Sequence, residues 1–474
     1  MTQSSFRPGN GNYDLAVIGA GSAGFSAAIT AAEQGAKVAL IGHGMIGGTC
    51  VNVGCVPSKT MIRAAEGLHH TTQLSRFGGM DGKAAVTDWQ ALMAKKDALV
   101  GELQQAKYID VLPAYNNIAY LEGRARFHDG AIRVDGAAVV AAKTIIATGA
   151  SAHVPAIAGL DAVDWLTSTT ALELPALPES LLVIGGGYIG CELAQMFSRM
   201  GVSVTIVCRS RLLPEGEPEI SAALAEYFSA EGIAVHTGLA YDSIQKLNGG
   251  VALDVARHGA TQTIQAARVL VTTGRRPNTG DMGLEAAGIE LGANGGIVVD
   301  DRLATTKDGV YAVGDVTGRD MFVYMAAYGA RLAAHNALNG DSRRYDATAM
   351  PAVVFTDPQV ASVGLTQAAA IKAGHETRIS VLALEHVPRA LAARDTRGLI
   401  KLVADGPTGR LLGAHIMAPE GADSIQTAAL AIRQGLTYQD LADMIFPYLT
   451  TVEGLKLAAQ TFDKDVATLS CCAG

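Results

Sequence analysis

The chain has 474 residues, 49% of them hydrophobic and 17% charged, enough for about three domains around a sizeable core. Its net charge of −8 argues against a nucleic-acid-binding surface. Six cysteines, at positions 50, 55, 191, 208, 471 and 472, are too sparse for a secreted disulfide framework and point to a reducing cytoplasm. The 54 glycines exceed the usual share of about 7%, and phosphate-binding turns of α/β folds consume glycine.

Met1 to Asn12 is polar and has no apolar core, which predicts a disordered tail and no signal peptide. Tyr13 to Ile18 reads as an apolar strand, followed by Gly19-Ala20-Gly21-Ser22-Ala23-Gly24 and an alanine-rich helix. The uncharged run Leu15 to Ala32 is as long as a membrane span, but its glycines make it a buried strand-turn-helix. In such a fingerprint Gly19 permits the tight turn, Gly21 lets a pyrophosphate reach the backbone, and Gly24 lets helix and strand pack closely. The helix N-terminus then favours the diphosphate. The next strand, Lys37 to Ile41, ends in Gly42-His43, where an acid eighteen residues past Gly24 is expected to hold the adenosine ribose. Its absence leaves a weaker hold, or leaves His43 or a neighbouring loop to substitute.

Gly47-Gly48-Thr49-Cys50-Val51-Asn52-Val53-Gly54-Cys55-Val56-Pro57-Ser58-Lys59 follows. Two cysteines at this spacing can close a disulfide across a bent segment, and the glycines permit close approach to a flat ring. A disulfide against a flavin can accept two electrons and leave one thiolate free to exchange. Zinc is the competing reading, but no His or Cys pair follows at suitable spacing.

A second strand, Leu181 to Ile184, leads into Gly185-Gly186-Gly187-Tyr188-Ile189-Gly190 and another helix. One fingerprint alone is often a structural turn. Two, 166 residues apart, imply two dinucleotide sites, the arrangement for passing a hydride from a nicotinamide to a flavin. Val204 to Val207 ends in Cys208-Arg209-Ser210-Arg211 with no acid, so Arg209 and Arg211 suit the 2′-phosphate of NADPH; the bland alternative is two solvated surface charges. Cys191 and Cys208 read as small core residues. From about Met350 the pattern changes to alternating strands and two late helices, an antiparallel third domain.

The cysteine string resembles the redox-active motif of the pyridine nucleotide-disulfide oxidoreductases, and the likeness covers nearly the whole chain beyond the first dozen residues. Ala147-Thr148-Gly149-Ala150 and Thr273-Gly274-Arg275-Arg276-Pro277-Asn278 look like that family's crossover segments, and Tyr311-Ala312-Val313-Gly314-Asp315 like its second flavin motif. The resemblance implies a glutathione reductase-like α/β fold: two Rossmann-like dinucleotide-binding domains plus a C-terminal α+β dimerisation domain. FAD would be held by residues 13–150 and 275–345, NADPH by 151–274, and the dimer interface by 346–474. It also implies that Gly19, Gly21, Gly24, Thr49, Lys59, Thr148, Gly149 and Asp315 hold FAD, and that Gly185, Gly187, Gly190, Arg209, Arg211 and Gly274 serve the nucleotide sites. Cys50 would be the interchange thiol and Cys55 the flavin-facing one. Lys59 would lie near the flavin, paired with Glu192, and Tyr188 would gate the nicotinamide pocket.

Two features choose a branch of the family. Members acting on organic disulfides carry a histidine acid/base ahead of a glutamate near the C-terminus. Aligned on Glu453, that position holds Tyr448, a poor proton shuttle at neutral pH that can still lie against a metal-thiolate and make one hydrogen bond; the bland alternative is a core tyrosine. The tail Leu469-Ser470-Cys471-Cys472-Ala473-Gly474 carries vicinal thiols, which select soft metals. Both features resemble the Hg(II)-reducing branch. That likeness implies Cys50, Cys55, Cys471 and Cys472 as Hg(II) ligands, thiol-bound Hg(II) as substrate, and a homodimer whose tail completes the partner's site. Many members of the branch carry an N-terminal metal-binding domain, which is expected to be absent here. The rivals are an organic-disulfide reductase, opposed by Tyr448, and a flavin-free protein that sequesters soft metals, favoured only by Gly42.

Overall fold

The computed structural model describes residues 12–468. Its contacts divide the chain into two compact units. The first takes the residues up to Ser58, Gln90–His153 and Gly274–Ala347; the second takes Lys59–Trp89, Val154–Thr273 and the residues from Thr348 onward.

In the first unit β1 (Tyr13–Ile18), β2 (Val38–Gly42) and β3 (Ile118–Glu122) lie side by side, with Ala141–Ile146 and Val310–Ala312 completing a five-stranded parallel sheet. Leu15, Val17, Val38 and Leu40 are fully buried, as expected of parallel strands covered on both faces. Helix α1 (Ser22–Glu33) buries Ala27, Ala28, Ala31 and Ala32, side chains small enough for the helix Val323–Asn339 to pack closely. Ser26 Oγ donates to Ala327 O across that contact at 3.1 Å.

The second unit repeats the pattern with strands Ala234–His236, Ser203–Val207, Ser180–Ile184, Arg268–Val271 and Trp165–Leu166 in that spatial order, all parallel. A three-stranded antiparallel meander over Ala240–Leu247, Gly250–Arg257 and Ala260–Ala266 precedes the strand Arg268–Val271. The C-terminal part is a five-stranded antiparallel sheet in the order Pro351–Val354, Gln359–Gly364, Leu411–Ala418, Leu399–Asp405, Thr377–Ala383. The pattern predicts two late helices. The structure has Gly421–Gln434 and Glu453–Gln460 and, between them, the short Tyr438–Asp443, which a capping box of Thr437 and Asp440 starts. Among the described residues no helix is long and apolar enough to cross a membrane.

Candidate active site

The first fingerprint is shaped by clashes that only glycine avoids. Gly19 has φ +121°, and a Cβ there would lie 2.2 Å from Ala147 O; a Cβ on Gly24 would lie 1.7 Å from Gly19 O. Gly21 differs, because its Cβ would meet nothing nearer than Gly48 Cα at 3.5 Å. It is the N-cap of α1 and supplies no side-chain cap, so the first amides of the helix are available to an anion.

The cysteine loop docks on that turn through backbone contacts. Gly47 N donates to Ala20 O at 2.8 Å, and a Cβ on Gly48 would sit 2.6 Å from Gly21 Cα. The short helix α2 (Gly48–Asn52) carries Thr49, exposed, and Cys50; α3 (Cys55–Thr72) opens on Cys55. Both thiols are half-buried. Gly54 joins the helices where a Cβ would meet Thr49 O at 2.8 Å. Polar side chains fix the loop: Asn52 Nδ2 donates to Ile46 O and Gly48 O, both at 2.8 Å, and Gln104 Nε2 donates to Asn52 Oδ1 at 2.7 Å. Tyr108 stands edge-on to Phe25, its hydroxyl 3.1 Å from Ser22 Oγ. Burial pushes its phenol up, the Ser22 contact opposes this, and charge on Cys50 and Cys55 pushes it further up.

The two crossover segments are stitched together within this unit. Thr148 Oγ1 donates to Asn278 O at 2.8 Å, and Asn278 Nδ2 returns a bond to Thr148 O at 2.9 Å. Gly149 and Gly274 both take positive φ, +72° and +109°, where the chain turns. Asp315 lies in the turn Gly314–Thr317; burial raises its carboxyl, and the Arg275 guanidinium 3.6 Å away opposes the shift. Uncapped helix amides at Gly21 and the half-buried Asp315 carboxylate fit a flavin dinucleotide carrying a polyhydroxyl chain.

The second fingerprint repeats the cradle. A Cβ on Gly185 would lie 2.5 Å from Thr272 O, one on Gly190 2.2 Å from Gly185 O, and one on Gly187 would meet nothing within 4 Å. Gly187 is the N-cap of the helix Tyr188–Arg199, which again has no side-chain cap. Tyr188 is the first helical residue, half-buried, its phenol raised by burial and then by the Glu215 charge. Arg209 is exposed, with its guanidinium 5.4 Å from the centre of the Tyr241 ring. Arg211 is engaged locally, donating to Pro214 O at 2.8 Å and Gly216 O at 2.7 Å. Burial pushes the Cys208 thiol up to about 11 and the Cys191 thiol higher still, so both are unreactive core residues. Lys59 Nζ lies 2.7 Å from Glu192, which also accepts from Phe355 N at 2.9 Å, and the ammonium sits 4.9 Å from the centre of the Phe355 ring.

Tyr448 is 51% exposed, in a segment whose Met444, Ile445 and Leu449 also face outward. Glu453 is buried at the start of the following helix; burial raises its carboxyl, and it accepts from Leu449 N at 3.1 Å. Cys471 and Cys472 lie outside the described residues, as do the first eleven positions of the expected N-terminal tail. Tyr108 and Gln104 support the cysteine loop although no motif marks them as such. Arg275 was visible only as part of a crossover segment.

The pyridine nucleotide-disulphide oxidoreductase family matches residues 13–334, and the dimerisation domain of the same family matches residues 350–459. The chain is 48% identical over 470 residues to a mercuric reductase of Streptomyces lividans, covering 98% of each chain. It is 46% identical to a mercuric reductase of Staphylococcus aureus, covering 98% of this chain and 85% of the other. Among solved structures it is similar to the HOCl-induced flavoprotein disulfide reductase RclA from Escherichia coli, with a TM-score of 0.83 and 31% identity over 94% of this chain and 99% of that one.

Proposed function

Because the chain belongs to the pyridine nucleotide-disulphide oxidoreductases, in their mercuric reductase branch, we propose that it reduces Hg(II) to elemental mercury, consuming NADPH and releasing NADP⁺ and a proton. The observation that carries this reading is the pair of half-buried thiols, Cys50 and Cys55, on a loop docked on the first dinucleotide turn. FAD, when bound, supplies the two-electron link between nicotinamide and thiols. The chain's own residues do the rest. Gly21 and the α1 amides hold its diphosphate, and Asp315 accepts from its polyhydroxyl chain. Cys55 opens α3, whose terminal amides favour negative charge on its sulfur. Cys50 and Cys55 bind Hg(II) as two soft thiolate ligands. Arg209 reads the 2′-phosphate of NADPH.

The dimerisation domain makes the protein a homodimer. The site is shared in this reading: Cys471 and Cys472 of the partner subunit capture thiol-bound Hg(II) and pass it by ligand exchange to Cys50 and Cys55, past Tyr448. An exposed phenol with exposed apolar neighbours suits a place where two subunits meet.

The test is substrate choice. Purified protein should oxidise NADPH when Hg(II) is added with excess thiol, and should barely respond to glutathione disulfide or oxidised lipoamide. Turnover of either organic disulfide with none of mercury would overturn the assignment. Changing both tail cysteines to alanine should lower turnover of dithiol-chelated Hg(II) steeply and of HgBr₂ much less; equal turnover would end the relay.

A further inference from the structure

The first dinucleotide unit lacks the acid that normally reads the adenosine ribose from the end of β2, and in this structure a side chain there would have to displace Tyr120 and Ala20. A Cβ on Gly42 would lie 2.5 Å from Tyr120 Oη, 2.9 Å from Tyr120 Cε2 and 2.7 Å from Ala20 Cβ. The position is buried and already filled by the neighbouring strand's phenol. Tyr120 belongs to the core that joins α1 to the sheet, with Phe25, Ala28 and Leu40.

An acid does stand one strand away. In the parallel β2–β3 ladder Gly42 pairs in register with Glu122, the last residue of β3. Side chains of in-register parallel neighbours project to the same face, and so do residues two apart on one strand. Glu122 therefore leaves the sheet on the face that a residue at 42 would use, and on the face that Tyr120 uses. Its carboxylate is near enough to Tyr120 to raise that phenol beyond what burial alone does. Glu122 is exposed at the carboxyl end of the sheet, where α/β folds bind ligands. The displacement is one strand spacing, about 4.8 Å.

We infer that Glu122, with the Tyr120 hydroxyl beside it, binds the adenosine ribose of FAD, so that the ribose-reading acid has moved from β2 to β3. Glu122 accepts hydrogen bonds from the ribose diol, and Tyr120 closes the space behind. The inference rests on the reading that the first unit holds FAD.

The experiment measures binding, not turnover. Apoprotein is titrated with FAD and with its 2′-deoxyadenosine analogue, and the dissociation constants are read from flavin fluorescence. The unaltered protein should prefer FAD over the analogue. Glu122→Gln, at an exposed position that leaves folding intact, should weaken FAD by roughly tenfold or more and abolish the preference. Tyr120→Phe keeps the ring in the core and should cost less. An unchanged FAD constant in Glu122→Gln, or loss of the preference in His43→Ala instead, overturns the inference and leaves the flavoenzyme reading standing. Unaltered protein that binds no FAD overturns both.

Discussion

The two dinucleotide units solve the same backbone problem in the same way and then diverge in their side chains. Gly19 and Gly185 turn at φ +121° and +116°, and in both units the third glycine would strike the first glycine's carbonyl if it had a Cβ. The fingerprint helices are nevertheless held differently. Helix α1 packs through alanines, with one serine hydroxyl bonded across. The helix Tyr188–Arg199 buries Leu193, Met196 and Phe197 and adds charges and amides to that packing: Glu192 to Lys59 at 2.7 Å, Gln195 to the Asp357 backbone at 2.8 and 2.9 Å, and Arg199 to Glu231 at 2.7 Å and Asp357 at 2.9 Å. The strand ends diverge as well: Gly42 with Glu122 beside it in the first, Cys208-Arg209 in the second. A phosphate cradle is a backbone device that one sequence can use twice. Which nucleotide enters, and which chemistry follows, is left to the residues around it.

The largest effect comes from removing what only the first unit has. Cys50→Ala or Cys55→Ala should lower Hg(II) turnover by roughly 10³-fold or more, because a group acting as one half of a pair leaves little when lost. FAD should stay bound in both variants, since neither sulfur builds the cradle. Cys50→Ala should show a long-wavelength charge-transfer band from the remaining Cys55 thiolate, and Cys55→Ala none. Bands of equal strength would reverse the two sulfur roles.

The next effect separates the glycines by their task. Gly24→Ala puts a methyl 1.7 Å from Gly19 O and should destabilise the first unit by on the order of 3 kcal/mol, seen as a lowered Tm and lost flavin. Gly187→Ala meets no atom within 4 Å and has φ −80°, so the fold should survive. The KM for NADPH should instead rise about tenfold, because the methyl stands where the pyrophosphate approaches. If Gly187→Ala unfolds the protein, the opening there is not a ligand space.

These glycines were legible in the sequence, because spacing and strand context define the fingerprint locally. Strand β1 spans the predicted Tyr13–Ile18, and the cysteine loop and the late antiparallel sheet were equally readable. What stayed hidden depends on contacts made far along the chain. Tyr108 reaches Ser22 over 86 residues, and Gln104 reaches Asn52 over 52. Glu122 acquires meaning only from the register of β3 against β2, which no local periodicity reveals. Arg211 reads like Arg209 until the loop places Pro214 O and Gly216 O around its guanidinium.

Those two arginines give a smaller effect. Arg209→Ala should raise the KM for NADPH by roughly tenfold and leave NADH nearly unchanged, the loss of one charge-assisted contact to a 2′-phosphate. Arg211→Ala should lower Tm and affect both coenzymes alike, because its guanidinium serves two loop carbonyls. Equal losses for NADH and NADPH in Arg209→Ala would place that residue on structural duty too.

The smallest effect tests the charge network around Asp357, which Arg199 of the second fingerprint helix joins. His70 Nε2 lies 3.4 Å from Asp357 Oδ2, and that contact raises the imidazole above its usual value although burial opposes it. Asp357 shows the counterpart: burial pushes its carboxyl up, but His70, Arg199 and Arg397 outweigh this and hold it far below the carboxylate range. A raised histidine contributes stability that is fully present below its unfolded value near 6.5 and is lost as pH rises through the higher folded value. The neighbouring His69 is lowered, first by burial and then by Arg199, so its contribution runs the other way, present at high pH and lost on acidification. The two partly cancel in the unaltered protein. The His70 side chain is 50% exposed, so its share should be only a few tenths of a kcal/mol after solvent screening. Urea unfolding of the unaltered protein and of His70→Asn between pH 6 and 8 isolates it. The loss of midpoint on substitution should be larger at pH 6 than at pH 8 and should shrink with added salt. A loss independent of pH would mean that His70 acts by packing, and that the Asp357 charge network holds without it.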